Sequence, residues 1–375
     1  MKKIGIYLHI PFCKQKCYYC DFLSFANQEG FQREYFDSLK EEIKDFFDKN
    51  QYEISTIYIG GGTPSFVEGN FIKEILQQIP KNHAEEITIE VNPGTVDLDK
   101  LQLYKDIGIN RLSIGLQTTQ DRLLKQIGRI HTFGDFLNTY NWAKEIGFDN
   151  INVDLMIGLP NQTIADIKQS LEKITELEPK HISVYSLIVE ENTKIAQLIE
   201  SHELILPNEE LERNMYWYVK NYLELKGYSH YEISNFALKG YESKHNLDCW
   251  NQEEYIGFGL AAHSYLNNTR FSNIENLSKY LNNGWKNKVI QENQNESSKK
   301  SEYMLLGLRK IDGVSIRKFK EKFGENPIFI FRNELNKLVG KGLIIIQEDN
   351  IKLTNKGLDL ANLVWEEFVW IDIWK

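Results

Sequence analysis

The chain has 375 residues, 42% of them hydrophobic, and its 44 basic and 53 acidic side chains leave a formal charge of -9. The length suits one large α/β domain with a smaller one and supplies a real core, while the charge leaves no global electrostatic footprint for nucleic acid. Only four cysteines occur, three of them crowded at Cys13, Cys17 and Cys20 and the fourth, Cys249, far away; this excludes a disulfide framework and reads as metal binding in a reducing cytoplasm.

The opening stretch "MKKIGIYLHIPF" has a short, alternating apolar run that ends at Pro11. It predicts a strand over 4–10 and not a signal peptide. No run of about 18 apolar residues marks a transmembrane helix, and peripheral membrane contact stays open. Helical spacing of apolar residues follows over 31–49, then a strand over 55–61 that ends in glycines, then a helix over 68–79. The alternation continues with a strand over 86–92, a helix over 97–107, a strand over 111–117 and helical segments around 120–128 and 133–146. A strand over 150–158, a helix over 163–178 and a strand over 181–189 complete six strands with helical crossovers. That order argues a parallel sheet. A sheet curled as a partial (β/α)6 barrel fits best, with a flat doubly wound sheet as the alternative. In both, ligands bind where the strands end.

After residue 190 the pattern changes. A helix over 208–226 leads to "HYEISNFA", to the Gly-rich "YIGFGLAAHSY" and to a polar tract over 292–300 that reads as a linker. The remainder reads as three helices, a hairpin in "LIIIQEDNIKLT" and a last helix, a winged-helix-like lobe without a basic recognition helix. We therefore expect a core over 1–195 with a metal loop at 9–24, an extension over 196–291, and a lobe over 301–375 with a structural or partner-docking role.

The loop "HIPFCKQKCYYCDF" places its cysteines as C-x3-C-x2-C. His9 with the three thiolates would make a tetrahedral zinc site. The sharper reading is a [4Fe–4S] cluster on three thiolates, whose fourth iron is left open to a small molecule. The spacing, with Tyr19 before the last cysteine, resembles the radical SAM superfamily. "YLHIPFCKQKCYYCDF", "YIGGGTPS", "EVNPG", "RLSIGLQ" and "NVDLMIGLP" are similar, in order, to the coproporphyrinogen dehydrogenase (HemN) and HemW group over about residues 4–275. The resemblance implies a cluster on Cys13, Cys17 and Cys20 and S-adenosyl-L-methionine at the open iron, cleaved by an electron from the cluster. It implies further that Gly60, Gly61, Gly62 and Thr63 meet the methionine amine and that Arg129 meets the methionine carboxylate. Gln117 and Asp154 would take the ribose hydroxyls, and Glu90 would accept from the cofactor. Tyr7 would lie near the cofactor or substrate, and the adenine on backbone around Phe22 and residues 158–160.

Within that group the dehydrogenase branch continues C-x3-C-x2-C-x-C and has a longer N-terminal extension before its counterpart of Tyr7. Here Phe22 stands at the fourth cysteine's place. "KHNLDCW" matches the H-N-x-x-Y-W element of the HemW branch at His245, Asn246 and Trp250, with Cys249 in place of Tyr. The resemblance thus implies a haem chaperone that carries haem to apo-haemoproteins, with His245, Asn246, Cys249 and Trp250 as haem-binding residues and His263 as a second candidate axial ligand. It speaks against oxidative decarboxylation of coproporphyrinogen III, the alternative activity, and leaves cleavage of S-adenosylmethionine and a homodimer open. An electron donor such as a flavodoxin or ferredoxin would serve the cluster.

Overall fold

A computed structural model describes residues 1–80 and 83–369. The six strands expected from the sequence form as β1 (Lys3–Ile10), β4 (Glu53–Gly61), β5 (Glu86–Val91), β6 (Arg111–Gln117), β7 (Asn150–Ile157) and β8 (His181–Ser186). Each pairs in parallel with the next. Between β1 and β4 lie two short strands, β2 (Phe12–Cys13) and β3 (Phe25–Ala26), which pair only with each other.

Alternation along these strands decides between the two sheet geometries. Ile57, Ile59, Ile87, Ile89, Leu112, Ile114, Ile151, Val153, Ile182 and Val184 are buried in the main core, with Tyr35, Phe36, Leu39 and Ile43 of the helix Gln32–Lys49. The intervening residues Tyr58, Glu90, Ser113, Asp154 and Tyr185 line one cavity. Successive side chains point to opposite faces of a strand. One face is therefore apolar and covered by helices, and the other is polar and concave. A doubly wound sheet, with helices on both faces, would need both to be apolar. The curled half-barrel is the architecture.

The sheet is larger than the six strands. Residues 196–291 add strands at both of its edges. On one side β10 (Asn235–Ala237) pairs antiparallel with β8, and β9 (Ser229–Glu232) pairs antiparallel with β10. On the other, β11 (Tyr255–Phe258) pairs in parallel with β1, and β12 (His263–Leu266), β13 (Thr269–Ser272) and β14 (Val289–Asn293) continue antiparallel. The result has twelve strands, seven of them contiguous and parallel. The polar tract over 292–300 is not a free linker. Its first residues belong to β14, and the helix Glu296–Gly307 starts inside it, where Asn295 Oδ1 accepts from Ser298 N at 2.9 Å. Such a side chain satisfies a backbone donor that the first helical turn cannot.

The C-terminal lobe has its own core, built on Met304, Leu308, Phe319, Leu338, Ile351 and Val364. Short helices surround a three-stranded sheet of β15 (Val314–Ser315), β16 (Ile344–Gln347) and β17 (Asn350–Leu353). The final residues of the expected 301–375 lobe, 370–375, lie outside the described residues. No helix among the described residues is long and apolar enough to cross a membrane.

Candidate cluster and cofactor site

The metal loop leaves β1 at Ile10 and is closed by the small β2–β3 ladder, in which Cys13 lies opposite Ala26. Side chains and backbone pin it at several points. His9 Nε2 is 2.9 Å from Leu23 O and its Nδ1 is 3.0 Å from the Tyr7 hydroxyl. Both ring nitrogens are thus used to hold the loop, and burial lowers the imidazole's pKa, favouring the neutral ring. The Gln15 side chain donates to Gly128 O and Tyr18 N to Ile127 O, which ties the loop to the segment carrying Arg129.

All three thiols of the loop line the same cavity of about 590 Å³ at the ends of the parallel strands. Cys13 Sγ accepts from Thr63 Oγ1 at 3.4 Å. Among the described residues no three His, Cys, Asp or Glu side chains gather closely enough to hold a single metal ion. A set of three thiols around one cavity suits a cluster held by three thiolates.

The glycine run is a cradle for the loop as well as for a ligand. A Cβ on Gly62 would stand 2.9 Å from Cys13 Sγ, and one on Gly61, whose φ is +116°, 2.7 Å from the His9 ring. At Gly60 it would stand 3.1 Å from the Glu90 carboxyl. Glycine lets the strand tip approach all three. Gly61, Gly62 and Thr63 face the cavity; Gly60 is not among the lining residues.

Most of the remaining expected residues converge on that cavity. Glu90 accepts from the Tyr58 hydroxyl at 3.0 Å and from Gly61 N at 3.2 Å. Asp154 accepts from Asn152 Nδ2 at 2.7 Å and Ser113 Oγ at 3.4 Å, and burial raises its pKa. Gln117 sits at a register shift between β6 and β7 with φ +73°, and its Oε1 accepts from the Tyr185 hydroxyl at 2.8 Å. A non-glycine residue in that conformation is a strain that functional sites commonly retain. Arg129 Nη1 donates to Asn92 Oδ1 at 2.8 Å, while its buried Nε has no hydrogen-bond partner among the described residues. Phe22 is 65% exposed at the cavity's rim. Tyr7 and residues 158–160 are not among the cavity's lining residues, though Met156, near the end of β7, is. Tyr7 stacks on Tyr58, with ring centroids 6.4 Å apart.

Burial pushes the Glu90 carboxyl up to about 7 from its ordinary 4.5, against the hydrogen bond from Tyr58. Between those values the folded state holds a proton that the unfolded state has released, so stability falls as pH rises through the window. We expect Glu90→Gln to remove this loss. The stability gap between the variant and the wild type, followed by urea unfolding, should move in the variant's favour from pH 4.5 to pH 7. A gap independent of pH would mean that Glu90 is not buried as described.

Asn92, just past the end of β5 and among the strand-end polar residues that the sequence put under suspicion, donates to Thr63 Oγ1 at 3.0 Å while accepting from Arg129, so it links the cysteine loop's neighbour to the guanidinium. Sequence reasoning missed other residues of the site. Arg111, Ser113 and Asn152 line the cavity from the alternate positions of "RLSIG" and "NINVD". The polar half of that period-two pattern was the signal that could have found them.

The haem-linked segment folds as the helix Lys244–Trp250 at the other end of the barrel, where the strands begin. Glu86, the first residue of β5, caps it, accepting from His245 N and Lys244 N, each at 3.1 Å. The His245 ring is buried, with Nδ1 2.8 Å from Thr56 Oγ1, and stacks on Tyr58 at 5.2 Å. Asn246 lines the cavity from below. Burial pushes the Cys249 thiol up to about 12, and the Arg309 guanidinium from the C-terminal lobe covers the Trp250 ring at 4.4 Å. His263 is exposed, and its Nδ1 is 3.2 Å from Gln291 Nε2.

A half-barrel of parallel strands with a three-cysteine loop over the strand ends defines a radical SAM protein, and residues 7–174 match the Radical SAM superfamily model. Residues 300–360 match the HemN C-terminal domain. The chain is 40% identical to the haem chaperone HemW of Bacillus subtilis (strain 168), over 97% of this chain and 98% of that one, and 38% identical to HemW of Lactococcus lactis over 99% of both. It belongs to the HemW family. The coproporphyrinogen III oxidase HemN of Escherichia coli shares the fold, with a TM-score of 0.85 at 23% identity over 98% of this chain and 90% of that one.

Membership of the radical SAM class implies a [4Fe–4S] cluster and S-adenosylmethionine. The donor set fits them: three thiols on one cavity, glycines that keep the strand tip clear of Cys13, and a buried guanidinium with an unpartnered N–H.

Proposed function

We propose that this chain binds haem and passes it to apo-haemoproteins in the cytoplasm, and that it is not a coproporphyrinogen dehydrogenase. Near-complete coverage of relatives named as haem chaperones carries the reading. Phe22, where the dehydrogenase pattern has a fourth cysteine, supports it. Cys13, Cys17 and Cys20 would hold the cluster, which, when bound, would supply an electron for reductive cleavage of a sulfonium C–S bond. Arg129 would hold the methionine carboxylate by charge-assisted hydrogen bonds. Gln117 and Asp154 present acceptors for vicinal hydroxyls, and Gly61 to Thr63 present backbone to the amine.

For the haem we propose the segment around His245, with Asn246, Cys249 and Trp250. Burial pushes the His245 imidazole down to about 4, so it is neutral at physiological pH, as an iron ligand must be. Ligation by His245 requires the ring to leave Thr56 and Tyr58; the exposed His263 needs no such release.

The test is a haem titration and a coproporphyrinogen assay on one anaerobically reconstituted sample. We expect a Soret band, shifted or weakened in His245→Ala, and no protoporphyrinogen. Burial of the macrocycle leaves part of the affinity in the variant. Cys249→Ser reports on sulfur ligation, and a shift confined to His263→Ala would move the ligand to the exposed start of β12. Turnover of coproporphyrinogen with unaltered haem binding in His245→Ala would restore the dehydrogenase.

A further inference from the structure

The cluster and cofactor residues occupy the upper part of the cavity, and the cavity continues below them to the strand starts. Arg111, Ser113, Asn152, Ser183, Asn235 and Asn246 line this lower part. The bottom of a parallel barrel is ordinarily packed for stability; here it is polar. Arg111 is only 2% exposed, yet among the described residues its Nε is buried without a hydrogen-bond partner. The carboxylate beside it does not satisfy it: Glu86 Oε2 stands 4.0 Å from Nε and is turned to the N–H groups of the helix Lys244–Trp250. Asp154 is likewise engaged by Asn152 and Ser113. A buried charged donor left unmade is costly, and guanidinium is the side chain best shaped to receive a planar two-oxygen anion.

We infer that the floor around Arg111 is a second ligand subsite, one that takes a carboxylate. Ser183 and Asn246 supply further polar groups around the anion, and the subsite borders the His245 ring through Asn246. On the haem-chaperone reading, the carboxylate is a propionate of the cargo, lowered into the barrel while the iron lies toward His245. A free small carboxylate has the same chemistry and is the other source.

The two sources separate in one experiment on the reconstituted holoprotein. Haem and haem dimethyl ester are titrated by absorbance, and propionate and succinate are added separately while thermal unfolding is followed. Arg111→Lys keeps a cation beside Glu86 but loses the fork. Ser183→Asp leaves Arg111 in place and adds a like charge to the floor. We expect haem to bind about tenfold tighter than its ester, as the loss of hydrogen bonds to a charged group would give, and both variants to erase the difference. Equal binding of haem and ester, with propionate or succinate raising the wild-type Tm and not that of the variants, assigns the subsite to a free carboxylate. No discrimination and no stabilisation in the wild type, or the same response in both variants, overturns the subsite. Failure of haem to bind at all would count against the chaperone reading alone, because the Tm response to small carboxylates still reports on Arg111.

Discussion

Alanine at Cys13, Cys17 or Cys20 is expected to abolish the iron–sulfur cluster, while Cys249→Ser retains it in full. The three thiols line one cavity at the strand ends. Cys249 lies in the helix Lys244–Trp250 at the strand starts, and burial holds its thiol protonated. A cluster on three thiolates has no spare ligand, so each loss is total rather than graded. Iron and sulfide per chain, with the EPR spectrum of the reduced protein, read this directly. Burial also raises the Cys13 and Cys20 thiols, in part against hydrogen bonds from Thr63 and from the Phe22 backbone. Metal uptake must displace those protons, so loading of the apoprotein should improve as pH rises. Zinc uptake with no iron, or iron retained after loss of any one of the three, would remove the cluster assignment.

Arg129→Ala is expected to weaken S-adenosylmethionine binding to the reduced holoprotein by about 1.5–3 kcal/mol, the size of a hydrogen bond to a charged group. The guanidinium is buried, lines the cavity beside Cys17, and has an N–H without a partner. Asn92, which accepts from its Nη1, also donates to Thr63, and Thr63 donates to Cys13. The guanidinium could therefore act through that chain instead of on the cofactor. Asn92→Ala separates the two. If Arg129 binds the carboxylate itself, Asn92→Ala keeps most of the affinity and the intact cluster. If the two variants lose affinity equally, Arg129 only positions the loop. Equilibrium binding measured by calorimetry under anaerobic conditions gives both numbers, and unchanged affinity in Arg129→Ala places the carboxylate's partner elsewhere.

Expectation and structure agree most closely where the information is local. The strands over 111–117 and 150–158 return as Arg111–Gln117 and Asn150–Ile157, and the helix over 133–146 as Phe133–Glu145. That last helix starts at a capping box made by Thr132 and Asp135 within four residues of chain. The expected helix over 163–178 stops earlier, at Thr175, and the strand over 181–189 ends at Ser186. Ends are set by what the next residues meet, which a window of sequence does not contain. The tract over 292–300 shows the same limit. Its composition reads as linker, yet Glu292 and Asn293 pair with β13 and the tract from Glu296 onward opens a helix.

The sequence by itself determined the parallel sheet and the metal loop, and favoured the curled sheet over a flat one, because these are written at short range. Period-two alternation puts Ile and Val on one face and Glu90, Ser113 and Asp154 on the other, and three cysteines within eight residues stay together in any fold. Only the tertiary structure decided what closes the barrel below. β11 joins β1 through Gly5 to Leu8 opposite Tyr255 to Phe258, and the helix Lys244–Trp250 docks its first turn on Glu86. These partners are far apart in the chain, and pairing between them depends on loop closure and on which edge is free, neither of which leaves a mark in the local pattern. That docking carries His245 to the end of the strands opposite the cysteines, and it turns Glu86 toward backbone N–H groups and away from Arg111. A guanidinium left buried without a partner for its Nε is a property of the packed molecule, invisible in the five letters "RLSIG".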